Sequence, residues 1–393
     1  MFETLTAAPP DKILSISLLY KNDPRPEKID LGVGVYKDAQ GTTAIMRAVR
    51  DAEKRLFEAQ TTKTYVGIAG DEKFNKGMLK LVFGETADLS RMFACQTAGG
   101  SGALRTIADL LMKARPDATV WLSDPTWVNH LPILKAAGFK TASYPYFDPG
   151  TGTVKFDAML EGLRQANRGD VVLLHGCCHN PTGADLTMEQ WSAVAEVMIE
   201  RDLFPFFDLA YQGFGNGLDE DAASVRLFAG KVPELVVATS CSKNFSVYRD
   251  RVGAVILMGK DAEAARIAGS QALATTRVLY SMPPDHAAAI VRMILEDDAL
   301  RADWKSELET MRLRMLNLRS GFADALRRQS NSARFDFVAQ HRGMFSRLGL
   351  TEEQVERLRN DFAVYMVGDS RFNVAGLKED RLDDLAKAVV AVL

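Results

Sequence analysis

The chain has 393 residues, 47% hydrophobic and 25% charged, the composition of an ordinary globular protein with room for two or so domains. Its 48 basic and 51 acidic residues leave a net charge of only -3, so the charge balance gives no indication of a nucleic-acid or anionic-membrane partner. Because no apolar run reaches about 18 residues and the first residues lack the basic and apolar regions of a signal peptide, we expect a cytoplasmic protein without a membrane span.

The cysteines also favour a reducing compartment. Cys95, Cys177, Cys178 and Cys241 include no C-x-x-C pair and no spacing typical of a disulfide framework. The sequence Cys177-Cys178-His179 could suggest a metal site. However, consecutive residues of an extended segment point to opposite faces and cannot easily converge on one ion. We therefore expect no metal.

The N-terminal segment predicts little regular structure before the first helix. Residues 1–10 are mostly small or apolar without periodicity, as expected of an arm that is either loose or docked on another subunit. A short amphipathic helix is predicted from Asp11, and residues 29–36 are predicted as a strand or extended loop in which glycines permit close backbone approach. A helix near 45–59 follows. Its apolar, core-facing positions are predicted to be Ile45, Val49, Ala52 and Leu56.

From about residue 95 the chain alternates strand-like and helix-like segments. This alternation predicts βαβ units and a mainly parallel sheet covered on both faces. In such sheets ligands bind outside the carboxyl ends of the strands. The predicted strands are 119–122, 171–174, 204–207, 235–238 and 254–257, and the predicted helices are 101–114, 156–167 and 187–201.

After about residue 300 the pattern changes to that of a smaller α+β domain. A long, charge-rich helix over about 299–328 is predicted to join it to the sheet domain, and the N-terminal segment is a candidate to complete it. The rest is a mixed region with short apolar segments at 335–338, 343–346 and 364–367, a helix near 351–361 and a final helix from about Asp380.

A lysine follows one of the buried strands. Residues 240–245 read Ser-Cys-Ser-Lys-Asn-Phe, and a lysine at the end of a buried strand must be paired or lose its proton. A lysine with a lowered pKa is what imine formation with an aldehyde cofactor needs. The hydroxyls of Ser240 and Ser242 and the cation of Arg251, eight positions beyond Lys243, would suit a phosphate. Taken alone, such a motif is more often a solvated surface lysine.

A glycine-rich segment indicates a second anion-binding element. Residues 97–105 read Thr-Ala-Gly-Gly-Ser-Gly-Ala-Leu-Arg and lead directly into an apolar helical pattern. Backbone N–H groups and the dipole of a helix N-terminus favour a phosphate there. The segment is not a P-loop, because no Gly-Lys-Ser/Thr follows. It is not a Rossmann fingerprint either, because the spacing fails and no strand is predicted before it. An ordinary tight turn is an equally good interpretation.

Three further residues lie in loops after predicted strands. Trp127 could stack on a heteroaromatic ring, although core packing is its commoner use. Asn180, in His-Asn-Pro-Thr-Gly, would present its amide as a hydrogen-bond donor, although an ordinary turn is the usual role. Asp208 follows an apolar strand, where a carboxylate needs a partner such as a protonated ring nitrogen; a helix cap or an ion pair is the alternative.

Two arginines complete the candidates. Arg371 follows a short apolar strand, and its planar guanidinium could bind a carboxylate with two hydrogen bonds. Arg277 lies in the otherwise uncharged stretch 277–284, which makes a purely solvated role less certain. Each of them singly is more often a surface residue.

Together these motifs resemble a known family. Ser-Cys-Ser-Lys-Asn-Phe, His-Asn-Pro-Thr-Gly, Asp-x-Ala-Tyr-Gln-Gly-Phe, Gly-Gly-Ser-Gly-Ala-Leu-Arg and Arg-x-Asn-Val-Ala-Gly are similar to motifs of the aspartate and aromatic aminotransferases, fold type I pyridoxal-phosphate enzymes, and fall in the same order. The resemblance runs from Phe2 to the C-terminus. It implies an α/β fold with a mainly parallel seven-stranded sheet in a large domain, and a smaller α+β domain. The implied ranges are an N-terminal arm on the partner subunit (1–11), a small domain (12–44 and 300–393) and a large cofactor-binding domain (45–299).

The resemblance also implies a role for each matched residue. The implied catalytic residues are Lys243, which would hold the cofactor covalently and move the substrate proton, Asp208, which would pair with the pyridinium nitrogen, and Tyr211. Asn180 and Tyr211 would contact the phenolic oxygen, and Trp127 would stack on the ring. The implied phosphate ligands are Gly100, Ser101, Ser240, Ser242 and Arg251, with Tyr65 reaching the phosphate of the neighbouring subunit. The implied substrate-binding residues are Gly34, Trp127, Asn180, Arg371 and, from the other subunit, Arg277.

The implied assembly is a homodimer with shared active sites, whose small domain closes on amino-acid and 2-oxo-acid substrates and excludes water. Arg277 implies that 2-oxoglutarate is accepted, and it does not separate aspartate from aromatic enzymes. Thr64 and Met282 replace asparagines common in aspartate-specific members, and the less polar wall is worth about 2 kcal/mol to an aromatic ring. Ser101 occurs in some aromatic members, whereas Val35, Lys37 and Thr43 are aspartate-like.

We therefore expect an aromatic-amino-acid transaminase that also accepts aspartate, with an aspartate-preferring transaminase as the alternative. A β-lyase or decarboxylase on the same fold would keep Lys243 and Asp208 but would not need Arg277. A catalytically silent binding protein would tolerate loss of Lys243, which is present together with its surrounding motif.

Overall fold

The computed structural model describes residues 1–7 and 12–393. The strands are β1 (Ile29–Asp30), β2 (Met92–Ala98), β3 (Thr119–Asp124), β4 (Lys140–Pro145), β5 (Phe147–Asp148), β6 (Thr153–Val154), β7 (Val171–His175), β8 (Phe204–Leu209), β9 (Leu235–Ser240), β10 (Val252–Met258), β11 (Phe345–Arg347), β12 (Val364–Tyr365) and β13 (Arg371–Asn373). The α-helices are α1 (Lys12–Asn22), α2 (Arg47–Ala59), α3 (Glu72–Phe83), α4 (Gly99–Ala114), α5 (His130–Ala136), α6 (Phe156–Arg164), α7 (Met188–Glu200), α8 (Ala223–Ala229), α9 (Ala262–Leu279), α10 (His286–Glu296), α11 (Asp298–Ser330), α12 (Phe337–Gln340), α13 (Glu352–Phe362) and α14 (Leu382–Ala391).

One large sheet organises the fold. Within the described ranges, β2, β10, β9, β8, β7, β3 and β4 form a seven-stranded sheet in that order. The strands from β9 through β4 are parallel to their neighbours, whereas β10 runs antiparallel to both β9 and β2. This confirms the predicted α/β class and the mainly parallel sheet. All five predicted strands are present.

Two strands of this sheet were not predicted. β2 has a short apolar run at 92–95 that ends in the polar pair Gln96 and Thr97, and β4 is an edge strand with a polar sequence. Because β2 leads directly into the glycine-rich segment, the expectation that no strand precedes that segment was wrong.

Both faces of the sheet are covered, which explains why its central strands are apolar throughout. Along β9, Val236 and Ala238 belong to an apolar cluster that includes α4 and α9. Leu235 and Val237 belong to the other cluster, which includes α7 and α10. All six residues of β9 are buried, so the strand delivers the lysine that follows it from a fixed position.

Outside the large sheet, the predicted helices are present within the described residues, one predicted core position is wrong, and six helices were not predicted: α3, α5, α8, α9, α10 and α12. The long predicted helix is α11, and the C-terminal region contains the antiparallel pair β11 and β13 and the strand β12, which pairs in parallel with β1. The predicted core position Ile45 is wrong: α2 begins at Arg47, and Ile45 precedes it with 47% of its side chain exposed. Val49, Ala52 and Leu56 are buried as predicted. The expected helix start at Asp11 lies outside the described residues, and α1 is described from Lys12.

None of the helices in residues 1–7 and 12–393 combines the length and the hydropathy that a bilayer crossing requires.

Candidate active site

A cavity lies at the carboxyl edge of the parallel strands. Each loop after β3, β7, β8 and β9 contributes to it, as does the start of α4, which follows β2. Most of the sequence-predicted site residues line this cavity: Gly34, Gly100, Ser101, Trp127, Asn180, Asp208, Tyr211, Ser240, Ser242, Lys243 and Arg251. Five further lining residues were not predicted: Leu104, His175, Cys177, Ala210 and Tyr248.

Lys243 projects into the cavity beside an aromatic ring. Its Nζ lies 4.7 Å from the ring centroid of Tyr211. Burial lowers the pKa of Lys243 to about 8; the Asp208 carboxylate opposes this shift, and the Arg251 cation adds to it. At neutral pH, Lys243 is therefore a neutral amine in a larger fraction of the protein molecules than an ordinary lysine would be. A neutral amine can act as a nucleophile or as a base.

Asp208 is held ionised by a histidine that the sequence analysis missed. Nε2 of His130 lies 2.8 Å from Oδ2 of Asp208. Burial disfavours the charged carboxylate, but the hydrogen bond from His130 and the nearby charge of Lys243 outweigh it, so the pKa of Asp208 lies below its ordinary value. An ionised acid in this position can pair with a cationic group in the cavity.

The hydrogen bonds of His130 continue to a second histidine. Nδ1 of His130 lies 2.7 Å from the Thr126 hydroxyl, which lies 3.0 Å from Nε2 of His175. Burial lowers the pKa of His175 to about 3, so this ring is neutral.

One end of the cavity is built for an anion. α4 begins at Gly99, and its N-cap Ala98 supplies no side-chain acceptor for the first N–H groups. Arg251 donates from Nη1 to the Ser242 hydroxyl over 3.1 Å, and the Ser240 hydroxyl accepts from the Ser242 N–H over 3.2 Å. Gly99 has φ +70°, and a Cβ there would lie 2.4 Å from Nη2 of Arg251, so only glycine fits.

A buried arginine lies beside the ring of Phe345, outside the residues that line the cavity. Arg371 is 5% exposed and donates from Nη2 to the carbonyl of Gly32 over 3.0 Å, while its Nε has no partner. Its guanidinium lies 4.5 Å over the ring of Phe345, which also contacts Tyr211 edge-on at a centroid distance of 6.2 Å. Arg371 therefore has donors left for a carboxylate.

Asn180 and Tyr211 form one polar pair in the cavity. Nδ2 of Asn180 donates to the Tyr211 hydroxyl over 3.3 Å, and Oδ1 of Asn180 has no partner. Burial raises the pKa of Tyr211 above its ordinary value, so the phenol keeps its proton. The pair can therefore both donate to and accept from a polar group placed between them.

Three sequence-predicted site residues are not among those that line the cavity: Arg371, Tyr65 and Arg277. Tyr65 is 86% exposed, and Arg277 is exposed and donates to the Ser281 hydroxyl. The backbone N–H of Val66 lies 3.2 Å from the sulfur of Met282, the residue after Ser281. Tyr65 and Arg277 therefore lie on neighbouring exposed segments and not in the protomer's own cavity.

The vicinal cysteines correct one step of the sequence analysis. Cys178 has φ +51°, so the expectation that the two side chains point apart was wrong: with Asp221, their ligand atoms lie within 4.8 Å of one another. The Asp221 carboxylate accepts backbone N–H groups from Gly213, Gly215 and Asn216, each over 2.8 Å. Burial raises the pKa of the Cys178 thiol to about 12, so its sulfur keeps its proton. These contacts give the cluster a structural role.

The sequence model of the family "Aminotransferase class I and II" matches residues 26–389. The chain belongs to this family. Among relatives of this aminotransferase, the aromatic-amino-acid aminotransferase of Paracoccus denitrificans is 49% identical and the aspartate aminotransferase of Escherichia coli is 47% identical, each over the full length of both chains. A solved structure of an aromatic-amino-acid aminotransferase from Burkholderia pseudomallei, covalently bound to pyridoxal phosphate, is 43% identical, with a TM-score of 0.98 over 100% of this chain and 99% of that one.

Class I aminotransferases depend on pyridoxal phosphate, and the cavity of this aminotransferase fits that cofactor. The uncapped start of α4 together with Ser240, Ser242 and Arg251 suits a phosphate. Lys243, with its lowered pKa, suits an aldehyde, and the ionised Asp208 suits a protonated ring nitrogen. The three chemical features of the cofactor therefore each have a matching group in one cavity.

Proposed function

We propose that this aminotransferase moves the amino group of an aromatic amino acid, and of aspartate, to 2-oxoglutarate in two half-reactions at one site. The observation that carries the proposal is a chain of ring contacts: Lys243 lies over the Tyr211 ring, and Tyr211 contacts Phe345, over which Arg371 lies. Arg371 is a buried guanidinium with an unpartnered Nε, and Lys243 has a pKa of about 8. The Arg371 guanidinium can bind an α-carboxylate, and the Lys243 amine can remove the proton from the adjacent α-carbon.

The bound cofactor would supply an aldehyde for the amino group and an electron sink for the α-carbon. Asp208, kept ionised by His130, would hold the proton on the ring nitrogen, and Asn180 and Tyr211 would donate to the ring oxygen. Lys243 would take the proton from the substrate α-carbon and return it during the transfer. Trp127 would orient the ring from one face, and Gly34 would leave room for the substrate carboxylate.

Two residues outside the cavity support the aromatic preference. The wall that Thr64 and Met282 would form lacks the amide groups of aspartate-specific members, and the Met282 thioether lies against the Val66 N–H on the exposed surface. Relatives with aromatic and with aspartate names are about equally similar, so the preference rests on this less polar wall. An aspartate-preferring transaminase is the alternative.

We also propose a homodimer in which Tyr65 and Arg277 enter the partner's site, Tyr65 at the phosphate and Arg277 at the distal carboxylate. The support is exposure: Phe57, Tyr65 and Val278 are 87%, 86% and 86% exposed in the protomer. Large apolar side chains in such number favour a covered surface. A dimer also gives the N-terminal arm, residues 1–11, a partner to dock on.

The domain ranges and the compartment are further parts of the proposal. Residues 45–299 would form the large domain, and residues 12–44 and 300–393 the small domain that closes on the substrate. The support is that the large sheet lies entirely between Met92 and Met258, whereas β1 pairs with β12 near the C-terminus. The four free, buried cysteines fit a cytoplasmic location.

An absorption spectrum tests the activity. The protein loaded with pyridoxal phosphate is mixed with aspartate, tyrosine or phenylalanine without a 2-oxo acid. We expect the visible band of the bound cofactor to change to the spectrum of the aminated cofactor, and to change faster with the aromatic amino acids. Conversion confined to aspartate would favour the alternative substrate, and no band after addition of pyridoxal phosphate would overturn the proposal.

A further inference from the structure

Arg319 is a fully buried arginine on α11 that lines no part of the cavity. Its guanidinium donates five hydrogen bonds, and every acceptor is an uncharged oxygen of one segment, residues 338–346. The acceptors are the carbonyls of Val338 (3.2 Å), Arg342 (3.2 Å), Gly343 (2.8 Å) and Phe345 (2.7 Å) and the hydroxyl of Ser346 (2.6 Å).

This arrangement does not favour the stability of the fold. A buried cation held by uncharged acceptors costs stability relative to an apolar side chain of the same size. Burial lowers the pKa of Arg319 to about 9, which still leaves the group charged at neutral pH. What the guanidinium provides is geometry, because its planar donors fix several carbonyls of the segment at once.

The segment that Arg319 holds includes Phe345, which contacts the site. The Phe345 ring lies between the Arg371 guanidinium, at 4.5 Å, and the Tyr211 ring, at 6.2 Å between centroids. A Cβ at Gly34 would lie 3.0 Å from the tip of the same ring. Phe345 also pairs with Asn373 in the antiparallel ladder that begins at Arg371.

The same segment packs against the turn that carries Asn180. The Arg342 N–H donates to the carbonyl of Gly183 over 2.8 Å. A Cβ at Gly183 would lie 2.2 Å from the Phe345 carbonyl, and Gly183 has φ +73°, so only glycine allows this approach. A displacement of the segment would therefore disturb both ends of the substrate site.

We propose that Arg319 is a positioning residue for the substrate: it fixes residues 338–346 and so holds the Phe345 ring against Arg371, whose Nε has no partner. The inference rests on the proposed role of Arg371 in binding the α-carboxylate. A carboxylate bound by two hydrogen bonds tolerates little displacement, and a shift of about 1 Å in a positioning group can cost up to about 100-fold in catalysis.

The test uses Arg319→Met, which keeps the length of the side chain and removes its donors, and Phe345→Leu, which removes the ring. We expect each to raise KM for the amino-acid substrate by about tenfold or more, with a smaller change in kcat and an unchanged visible band of the bound cofactor. If Arg319 acts through Phe345, the double variant should raise KM no further than the stronger single variant.

Leu318→Ala is the matched control, because Leu318 is the fully buried neighbour of Arg319 on the same helix. It should lower the melting temperature and leave KM within about twofold of the wild-type value. If Arg319→Met does not fold, Ser346→Ala removes one of the five acceptors and should raise KM in the same direction. An unchanged KM in Phe345→Leu, or effects that multiply in the double variant, would overturn the inference. A wild-type protein without the half-reaction would instead overturn the proposed function.

Discussion

His130 and Asp208 are 78 positions apart in the chain, yet Nε2 of the histidine lies 2.8 Å from Oδ2 of the carboxylate. The pair joins the start of α5 to the end of β8, so the residue that keeps the acid ionised comes from a different element of the fold than the acid itself. The electrostatics of the ring-nitrogen position therefore depend on the packing of α5 as well as on the Asp208 motif.

The first prediction follows from this pair. His130→Asn should raise the pKa of Asp208, because burial continues to disfavour the carboxylate while its hydrogen bond is lost. We expect a loss of about 10- to 100-fold in kcat, as for other residues that orient a functional group, and weaker binding of pyridoxal phosphate. Steady-state kinetics and cofactor titration measure both.

Thr126→Val is the control for that prediction. It removes the hydroxyl that bonds Nδ1 of His130 and leaves the contact between His130 and Asp208 in place. Its effect on kcat should be clearly smaller. A His130→Asn variant as active as the wild-type protein would show that Asp208 does not depend on the histidine.

A second prediction concerns the pH dependence of Lys243. The apoprotein is mixed with pyridoxal, which lacks the phosphate, and the adduct is trapped with borohydride across pH 6 to 10. We expect the rate of capture to rise with a midpoint near pH 8, because only the neutral amine reacts. Lys243→Ala measures the background from other lysines.

Two substitutions should move this midpoint in opposite directions. Asp208→Asn removes the charge that favours the ammonium form of Lys243, so the midpoint should fall. Arg251→Gln removes a cation that disfavours the ammonium form, so the midpoint should rise. Shifts of the same sign in both variants would contradict the assignment of these two charges.

The third prediction tests the anion cradle at the start of α4. Gly99→Ala places a Cβ 2.4 Å from Nη2 of Arg251 and forces alanine to φ +70°. We expect the affinity for pyridoxal phosphate to fall by about tenfold or more, equivalent to about 1.4 kcal/mol or more. Gly102→Ala is the matched control on the same helix.

A Cβ at Gly102 meets its neighbours at 3.5 Å, an ordinary contact. Gly102→Ala should therefore keep its affinity for the cofactor and stabilise the helix by about 0.5–1 kcal/mol. Equal losses of affinity in both variants would show that helix strain in general, rather than the cradle, weakens binding.

Much of the fold could be predicted because its central strands are apolar on both faces. β7, β8 and β9 gave continuous apolar runs, whereas β4 did not, because an edge strand is exposed on one side and tolerates a polar sequence. The error at Ile45 has a similar cause. Its apolar side chain fits the helical period, but α2 begins only at Arg47. The ends of a helix are the feature that sequence periodicity predicts least accurately.

The site was predictable as far as its residues follow strands. Residues after β3, β7, β8 and β9 converge because parallel strands end at one edge of the sheet. His130 and Phe345 could not be found in this way, because their contacts with Asp208 and Arg371 arise from tertiary packing between distant segments. No spacing in the sequence encodes those contacts.

The fourth prediction concerns acid stability. Burial lowers the pKa of His175 and of His341 to about 3 and that of His179 well below its ordinary value, so these rings stay neutral in the folded chain and bind protons once it unfolds. Each therefore stabilises the fold above pH 6.5, and this contribution falls by about 1.4 kcal/mol per pH unit below it. Asp185, whose pKa burial raises to about 6, acts in the opposite direction over the same window.

The three histidines alone account for a loss of about 4 kcal/mol per pH unit between pH 6 and pH 5, and the raised pKa values of Asp185 and Asp221 oppose it. His341→Gln should reduce that slope by about 1.4 kcal/mol per pH unit, although it also lowers stability at pH 7 because the bonds to Ser346 and Gly152 are lost. Urea unfolding at several pH values measures both quantities. Equal slopes in His341→Gln and the wild-type protein would mean that the folded chain protonates His341 as readily as the unfolded one does.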